Sequence, residues 1–423
     1  MRSAVPQRVP ASPSTQPAIV RELRAFQWNG RPTRRAITSV GLAKSRPIVV
    51  ETFVNEFWTS KQRAAHSLHE VSYRACFKPQ LPRFFIDRFT QPGDVVYDPF
   101  MGRGTTVLEA ALAGRTPAGC DINPLSAVLA QPRLSPPTTE DVAARLASLN
   151  LSFAASYPKE LEVFYHPETL REICALREYL LTRDRRGTLD GIDRWIRMVA
   201  VNRLTGHSPG FFSVYTLPPN QAASVDAQAR INARRRQVPP RRDVRELIVA
   251  KTRSLLRDCD SPSRAALLRS AQRAALLTGP ARATSQIKSR SVALVVTSPP
   301  FLDVVDYAGD NWLRGWFCGI ETSAVQISMH RKVDEWQAAM TDVFKELARV
   351  LRPGGHVAFE VGEVRNGKVK LEEAVLPCGV ASGLEPLLVV INSQRFTKTA
   401  NCWGVRNNSK GTNTNRIVVF RKS

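Results

Sequence analysis

The chain has 423 residues, of which 43% are hydrophobic, and this composition predicts a large core. No apolar run approaches the roughly 20 residues of a membrane span, so the sequence predicts a soluble protein. Its net charge of +23 favours a polyanionic partner, nucleic acid first, and leaves an anionic membrane surface or a merely basic chain as alternatives. Seven scattered cysteines without a C-x-x-C pair and six histidines without metal-ligand spacing predict reduced thiols in an intracellular protein, with neither a disulfide framework nor a metal site.

Residues 1–45 are rich in Pro, Ser and Arg, have Glu22 as their only acid and show little periodicity. This composition predicts a disordered basic arm. An organelle transit peptide is also rich in Arg and Ser and poor in acids, so that interpretation stays open.

The stretch Asp94–Thr106 predicts a buried strand, a tight turn and a helix. A β-branched run ends in an acid, turns through Pro99 and passes two glycines before a segment rich in Ala, Leu and Glu. The helix is expected over Thr105–Ala113 and ends at Gly114. Glycines let the backbone approach a ligand closely at the carboxyl end of a strand, where open α/β sheets bind ligands.

A second strand is predicted over Thr116–Cys120, and it ends in the polar sequence Asp121-Ile122-Asn123-Pro124. An acid at the end of the second strand can accept hydrogen bonds from both ribose hydroxyls of a nucleotide-like ligand. The alternative is that Asp121 caps the helix expected near Leu125.

Residues 131–272 are too many for one loop between sheet elements, so they predict an inserted, mainly helical lobe. Helical periodicity covers residues 168–181 and 193–204, and residues 171–257 contain eighteen Lys or Arg against eight Asp or Glu. Aromatic residues and glycines interleave at 206–215, and basic side chains beside flexible aromatic loops suit phosphate contacts and base reading. A solvated basic face is the alternative for any single arginine. The residues expected to bind DNA are Arg234, Arg235, Arg236, Arg241 and Arg242.

A further buried strand is predicted over Val292–Thr297, because a continuous apolar run stops at the sequence Ser298-Pro299-Pro300-Phe301. Phe301 is expected to project from the end of this strand.

The C-terminal part predicts one clear amphipathic helix, Trp336–Leu351, followed by a Pro-Gly-Gly turn and the strand His356–Val361. Leu387–Ile391 and Arg416–Arg421 are expected to be the last two strands and to pair as a hairpin at the edge of the sheet. The polar, basic residues 397–415 between them are a further candidate DNA contact.

The segments Asp98–Thr106 and Ser298–Phe301 together resemble the two signature motifs of the amino-group DNA methyltransferases that use S-adenosylmethionine. In that family D-P-F-x-G-x-G-T-T binds the cofactor and (D/N/S)-P-P-(Y/F) holds the target base. The resemblance implies an α/β, Rossmann-like class I methyltransferase fold with a mostly parallel seven-stranded sheet, an antiparallel edge hairpin and the inserted lobe. It divides the chain into the arm 1–45, a cofactor half 46–130, a target-recognition lobe 131–272 and a catalytic half 273–423.

The resemblance also implies which residues bind S-adenosylmethionine. The residues around His69 and Phe77 match a family motif that precedes the cofactor strand. In the family this motif completes the methionine end of the cofactor pocket. The alternative is that a helix over Leu81–Phe89 simply packs on the sheet. Relatives often carry an acid that meets the cofactor adenine where this chain has Pro280, so that contact is expected to be missing or to come from elsewhere. The implied cofactor-binding residues are Asp98, Pro99, Phe100, Gly102, Gly104, Thr105, Thr106, Asp121, Asn123, His69, Phe77 and Pro79.

The catalytic residues implied by the resemblance are Ser298, Pro299, Pro300 and Phe301. The Ser298 hydroxyl and the Pro299 carbonyl would accept hydrogen bonds from the amino group of a flipped base, on which Phe301 would stack. Similar enzymes with Ser at this position favour the cytosine amino nitrogen, whereas Asp or Asn favours adenine, so cytosine-N4 is expected. Adenine-N6, an RNA amine and a catalytically inactive DNA-binding relative stay open.

Double-stranded DNA is therefore the expected partner, in the cytoplasm beside the nucleoid and without a membrane. A restriction-modification role would add a companion restriction endonuclease. Neither the recognition sequence nor the oligomeric state is predicted.

Overall fold

The computed structural model describes residues 17–42, 45–59, 65–74, 76–152, 156–300, 306–327, 330–364, 369–393 and 414–423. The first sixteen residues of the predicted arm, the predicted stacking residue Phe301 and residues 397–413 of the polar segment lie outside these ranges. No helix within the ranges is both long and apolar enough to cross a bilayer.

The strands are β1 Gln27–Trp28, β2 Arg31–Pro32, β3 Arg34–Leu42, β4 Ser45–Asn55, β5 Val95–Asp98, β6 Thr116–Asp121, β7 Ala275–Thr278, β8 Val292–Thr297, β9 Leu351–Val361, β10 Glu363–Val364, β11 Val369–Lys370, β12 Leu384–Ser393 and β13 Thr414–Lys422. The α-helices are α1 Ala18–Ala25, α2 Gln80–Phe89, α3 Thr105–Leu112, α4 Leu125–Leu134, α5 Thr139–Ser148, α6 Pro167–Arg185, α7 Gly191–Val201, α8 Val225–Arg235, α9 Val244–Leu255, α10 Ser261–Ala271, α11 Tyr307–Cys318, α12 Val333–Val350 and α13 Leu371–Ala381. Short 3-10 helices cover Ser67–His69, Lys159–Val163 and Thr322–Ala324.

Within the described residues, nine strands form one mixed, mostly parallel sheet in the order β3-β4-β12-β13-β9-β8-β5-β6-β7. The five strands from β9 to β7 run parallel, and β4 is parallel to β12, whereas β13 is antiparallel to both of its neighbours. Every residue of β8 is buried, as expected for a parallel strand covered by helices on both faces. The predicted α/β class with a mostly parallel sheet is confirmed, although the part of the chain that the structure describes gives this sheet nine strands and not seven.

The hairpin β12–β13 forms as predicted, but its predicted position at the sheet edge is wrong. Residues 52–55 of β4 pair with β12, and β3 covers the other side of β4. Phe53 is completely buried, and Ile48 and Val50 alternate inward. These side chains are buried when β4 pairs with β12, which explains why β4 extends the sheet beyond the hairpin.

The predicted disordered arm is also wrong for residues 17–42. Helix α1 buries three apolar residues in a cluster with Phe53, and β3 pairs along most of β4. Arg24 donates a hydrogen bond of 2.6 Å to Glu51 on β4. The apolar residues of α1 that carry the helical spacing are Ile19, Val20 and Leu23.

The predicted lobe contains α5 to α10, and the two helices predicted from periodicity correspond to α6 and α7. The lobe does not have a separate core. One hydrophobic cluster joins Trp195 of α7 and Ile248 of α9 to Val107 of α3 and Leu129 of α4. The helices behind the cofactor strands and the lobe are therefore packed as one unit.

Candidate active site

The turn after β5 has a backbone that glycine alone adopts without strain. Gly102 and Gly104 have φ angles of +50° and +76°, in the left-handed region. A Cβ on Gly104 would lie 2.7 Å from the Cβ of Ala130 on α4, so the absence of a side chain permits the close approach of the two segments. Gly104 is the residue that precedes α3 as its N-cap.

Asp98 joins the cofactor strand β5 to the catalytic strand β8. Its carboxyl accepts hydrogen bonds from the Thr297 hydroxyl at 2.6 Å and from the backbone N–H of Phe100 at 3.1 Å. The Thr106 hydroxyl donates in parallel to the Val296 carbonyl at 3.0 Å. The Asp98 side chain is 1% exposed, and this burial raises its pKa to about 7 despite the hydrogen bonds.

The raised pKa of Asp98 predicts that the fold loses stability as the pH rises from about 4 to 7. Over this interval the folded state keeps a proton that the unfolded state has released, so the free energy of unfolding falls with pH. Asp98→Asn keeps an acceptor oxygen but does not titrate, so the variant should gain at least about 1 kcal/mol relative to the wild type between these pH values. Urea unfolding at both pH values measures this. A difference between the two proteins that stays constant over these pH values would contradict it.

Asp121 ends β6 and is held by two backbone N–H groups. Its two carboxylate oxygens accept from Gly102 at 2.8 Å and from Asn123 at 2.9 Å. Burial raises the pKa of the Asp121 carboxyl. Asp121 does not cap α4, because Asn123 accepts the hydrogen bond from Leu125 N. The Asp121 carboxylate therefore links the glycine turn to the end of the second parallel strand.

A cavity of about 470 Å³ lies at the carboxyl ends of β5, β6, β7 and β8. Residues from both sequence motifs line it, although the motifs are nearly two hundred positions apart. The predicted site residues in its lining are Phe77, Asp98, Pro99, Phe100, Gly102, Thr105, Asp121, Ser298 and Pro300.

The other predicted cofactor-binding and catalytic residues within the described ranges are not part of this lining. His69 is buried and paired with Glu109 at 2.7 Å, and burial lowers the pKa of its imidazole to about 4. Thr106 and Asn123 make the hydrogen bonds that fix β8 and the start of α4. Outside the cavity lining are His69, Pro79, Gly104, Thr106, Asn123 and Pro299.

Comparison with known proteins finds a similarity in the segment that carries the glycine turn. Residues 43–131 match the model of the N6/N4 DNA methylases, described as DNA methylase. The match covers about a fifth of the chain, and over these residues the chain is similar to the N6/N4 DNA methylases. The match covers the cofactor strand, the glycine turn and Asp121.

Curated relatives of this chain are type II methyltransferases. M.MjaII of Methanocaldococcus jannaschii is 36% identical over 76 residues, which are 18% of this chain and 14% of that protein. M.MvaI of Kocuria varians is 31% identical over 111 residues, 26% of this chain and 23% of that protein. M.BsoBI of Geobacillus stearothermophilus is 33% identical over 85 residues, 20% and 17% of the two chains. The chain thus spans less than a quarter of the length of each of these three relatives.

Solved structures similar to this chain include other methyltransferases. Geranyl diphosphate C-methyltransferase from Streptomyces coelicolor A3(2) is 10% identical, with 82% of this chain and 78% of that chain covered and a TM-score of 0.32. A protein described as a DNA modification methylase from Thermus thermophilus is 23% identical, with 34% and 50% covered and a TM-score of 0.21. At TM-scores below 0.5, these likenesses support no statement about the protein.

The cofactor of this family is S-adenosylmethionine, and the cavity lining fits it. The cavity volume is within the range of roughly 300 to 1,000 Å³ that is usual for small-molecule sites. Each carboxylate oxygen has two lone pairs, so Asp121 can still accept from ribose hydroxyls after its two backbone contacts. Phe77, Phe100 and Ile122 supply apolar and aromatic surface for a purine.

Several lining residues were not found from the sequence. Trp336 of α12 donates from Nε1 to the Pro300 carbonyl at 2.9 Å, which fixes the second proline of the catalytic motif. Arg74 is bonded to both carboxylate oxygens of Asp310, at 2.7 and 3.0 Å. Asp342 of α12 and Pro280 both line the cavity. Pro280 stands at the position where relatives often carry an acid. Asp342 and Pro280 are 62 residues apart, so no local pattern indicated this acid.

The predicted DNA-binding arginines have different environments. Arg234, Arg235 and Arg236 are exposed at the end of α8, where the Arg235 guanidinium lies 3.8 Å from the Tyr215 ring centroid. Arg241 forms ion pairs with Glu168 and Glu172 on α6. Arg242 is partly buried, and its backbone N–H donates to the Thr169 hydroxyl at 2.8 Å.

The aromatic segment 206–215 is not the flexible reading loop that the sequence suggested. Phe212 is completely buried, Phe211 is 6% exposed, and the Arg203 guanidinium packs 4.0 Å from the Phe211 ring centroid. These two aromatic residues belong to the interior of the lobe. Among the predicted DNA-binding arginines, Arg234, Arg235, Arg236 and Arg241 are exposed, and Arg241 is already paired with Glu168 and Glu172.

Proposed function

We propose that this protein transfers the methyl group of S-adenosylmethionine to the exocyclic amino nitrogen of a base flipped out of double-stranded DNA. The proposal is carried by one observation: Gly102 and Asp121 of the cofactor half line the same cavity as Ser298 and Pro300. A shared cavity provides the alignment of donor and acceptor that a direct methyl transfer requires.

The proposed chemistry depends on hydrogen-bond acceptors and not on a strong base. An exocyclic amine is a poor nucleophile because its lone pair is delocalised into the base ring. The Ser298 hydroxyl and the Pro299 carbonyl accept from the two amino hydrogens, which favours a tetrahedral nitrogen with a localised lone pair. S-adenosylmethionine, when bound, would supply an electrophilic methyl group and leave as S-adenosylhomocysteine when the methyl–sulfur bond breaks, and the methylated nitrogen would release its extra proton to water. Trp336 holds Pro300 and so keeps the motif in position.

Cytosine-N4 is the proposed target. Ser298 occupies the first position of the motif, where resembling enzymes with Ser favour cytosine and those with Asp or Asn favour adenine. Adenine-N6, an RNA amine and a decayed, DNA-binding relative remain the alternatives. The type II methyltransferase relatives support a site-specific role in restriction and modification, which would act in the cytoplasm beside a companion endonuclease.

The test is to supply the purified protein with S-adenosylmethionine carrying a labelled methyl group, together with duplex DNA or RNA. Digestion of the nucleic acid to nucleosides then identifies the product. Labelled N4-methylcytosine is the expected result, and N6-methyladenine would favour the second candidate. Tight DNA binding without methyl incorporation would refute the proposed activity.

The exposed arginines of α8 are proposed to contact the DNA backbone. Changing Arg234, Arg235 and Arg236 to alanine should weaken binding and reduce the slope of log affinity against log salt by roughly one for each lost phosphate contact. Fluorescence anisotropy with a labelled duplex at several salt concentrations measures the slope. Arg185→Ala is the control, because Arg185 is an exposed lobe arginine already bonded to Glu178. An unchanged slope in the triple variant would refute the contact.

A further inference from the structure

The loop that follows α8 presents an apolar side chain among arginines. Val238 is 83% exposed, the largest exposure of any large hydrophobic residue in the described part of the chain. Residues 234–236 before it are exposed arginines, and the exposed Arg241 follows it. Pro240 is exposed as well. The loop therefore carries an apolar tip inside the basic surface that the proposed function assigns to DNA.

Both sides of this loop are anchored to the lobe. On the α8 side, Gln237 Nε2 donates to the Tyr215 carbonyl and to Asn232 Oδ1, both at 2.8 Å. On the far side, the Arg242 backbone is bonded twice to the Thr169 hydroxyl of α6. The Arg242 N–H donates to that hydroxyl at 2.8 Å, and the Arg242 carbonyl accepts from it at 2.9 Å. The position of the tip between these anchors is therefore fixed by the lobe.

The tip itself has few accessible conformations. Its sequence is Val238-Pro239-Pro240. Each proline ring fixes its own φ, and a residue that precedes a proline is restricted to extended backbone. The branched Cβ of valine also restricts χ1. Ordering this side chain against a partner should therefore cost little conformational entropy.

The loop conformation brings little benefit to the protein alone. Arg236 has a φ angle of +50°, in the left-handed region, where a residue with a Cβ carries a steric cost. At 83% exposure, Val238 gains almost nothing from burial. A single exposed apolar residue is ordinary. Here, however, a strained residue and a stiff tip present it beside basic side chains, and such strain is concentrated at functional sites.

Duplex DNA has a surface that matches this arrangement. Its phosphates attract the arginines on both sides of the tip, and these contacts position a protein without reading sequence. In the major groove, the apolar group that a base presents is the 5-methyl group of thymine, and apolar side chains contact it. A side chain as short as valine suits a group on the groove surface better than insertion between stacked base pairs.

We propose that Val238 enters the major groove of the substrate duplex and contacts the 5-methyl group of a thymine, so that it takes part in reading the target sequence. The arginines beside it hold the backbone of the duplex. This inference rests on the proposed function, because it concerns the same DNA substrate. It assigns base reading to a residue of the lobe that belongs to neither sequence motif.

Methyl transfer to thymine-containing and uracil-containing DNA tests the inference. Genomic fragments amplified with either thymidine or deoxyuridine triphosphate have the same sequences and differ in the thymine methyl group alone. For the wild type, we expect kcat/KM to be roughly fourfold lower on the uracil DNA, the loss that removal of one buried methyl group implies. Val238→Ser should lose activity on the thymine DNA and have a thymine-to-uracil ratio near one. Val238→Ile keeps the apolar, β-branched side chain and should keep the wild-type ratio.

Val49→Ser is the matched control, because Val49 is also an exposed valine, at 56%, but lies on β4 of the sheet. It should keep the wild-type ratio. Val238→Ser should melt at the wild-type temperature, since the side chain it removes is exposed. The inference is overturned if the wild type is equally active on the two DNAs, or if Val238→Ser keeps the wild-type ratio. A wild type that methylates neither DNA refutes the proposed function, and this inference with it.

Discussion

Ser298→Ala is expected to lower kcat by roughly 10²- to 10³-fold, the loss seen when one preorganised hydrogen-bonding group is removed from a reacting centre. The substitution removes the oxygen that accepts from the target amine and leaves the cofactor side of the cavity, with Gly102 and Asp121, intact. The Kd for S-adenosylmethionine should therefore stay within about twofold of the wild-type value. Initial rates of labelled methyl transfer and a direct cofactor titration measure the two quantities separately.

Ser291→Ala is the matched control for this experiment. Ser291 immediately precedes β8, is outside the cavity, and its hydroxyl bonds only locally to the Lys288 carbonyl. Its kcat should equal that of the wild type. A fully active Ser298→Ala protein would remove Ser298 from the reaction, whereas loss of cofactor affinity would show that the serine supports the cavity itself.

Gly104→Ala is expected to reduce the free energy of unfolding by about 2 to 5 kcal/mol. A left-handed residue with a Cβ costs about 1 to 2 kcal/mol, and the new Cβ would overlap the Cβ of Ala130 at 2.7 Å, which adds an overpacking cost of about 1 to 3 kcal/mol. Relief of the overlap would push the glycine turn away from α4, so cofactor affinity should fall as well. Chemical denaturation and cofactor titration measure the two effects.

Gly114→Ala separates the two causes. Gly114 has a φ angle of +71°, almost the same as Gly104, but a Cβ there would meet nothing within 4 Å. This variant should show the backbone cost alone and keep the cofactor affinity of the wild type. Equal losses of stability in the two variants would mean that the contact between the turn and α4 is unimportant.

The parts of the fold predicted from sequence were those with a local signal. The run Val292–Thr297 is continuously apolar because it is buried on both faces, and the helix over Trp336–Leu351 has one apolar stripe. The edge of the sheet was missed because β4 pairs with β12, more than three hundred residues later. Nothing close to β4 in the sequence indicates that partner.

For the site, too, the sequence predicted the residues at strand ends but not the side-chain pairings between distant parts of the chain. The glycine turn and Ser298 stand at the ends of neighbouring strands, so the rule that parallel strands present their carboxyl ends together was sufficient to bring them to one cavity. His69 was expected at the cofactor, but its side chain is paired with Glu109 on α3. That pairing, and the ion pairs of Arg241 with α6, depend on contacts 40 to 73 residues apart in the chain.

The hydrophobic cluster shared by the lobe and the helices α3 and α4 limits how this protein could be re-engineered. A graft that exchanged residues 131–272 for the corresponding module of another enzyme would cut through a single packed interior, separating Trp195 and Ile248 from Val107 and Leu129. Chimeras with new sequence preferences should therefore carry α3 and α4 with the transplanted module, or redesign the whole seam between them.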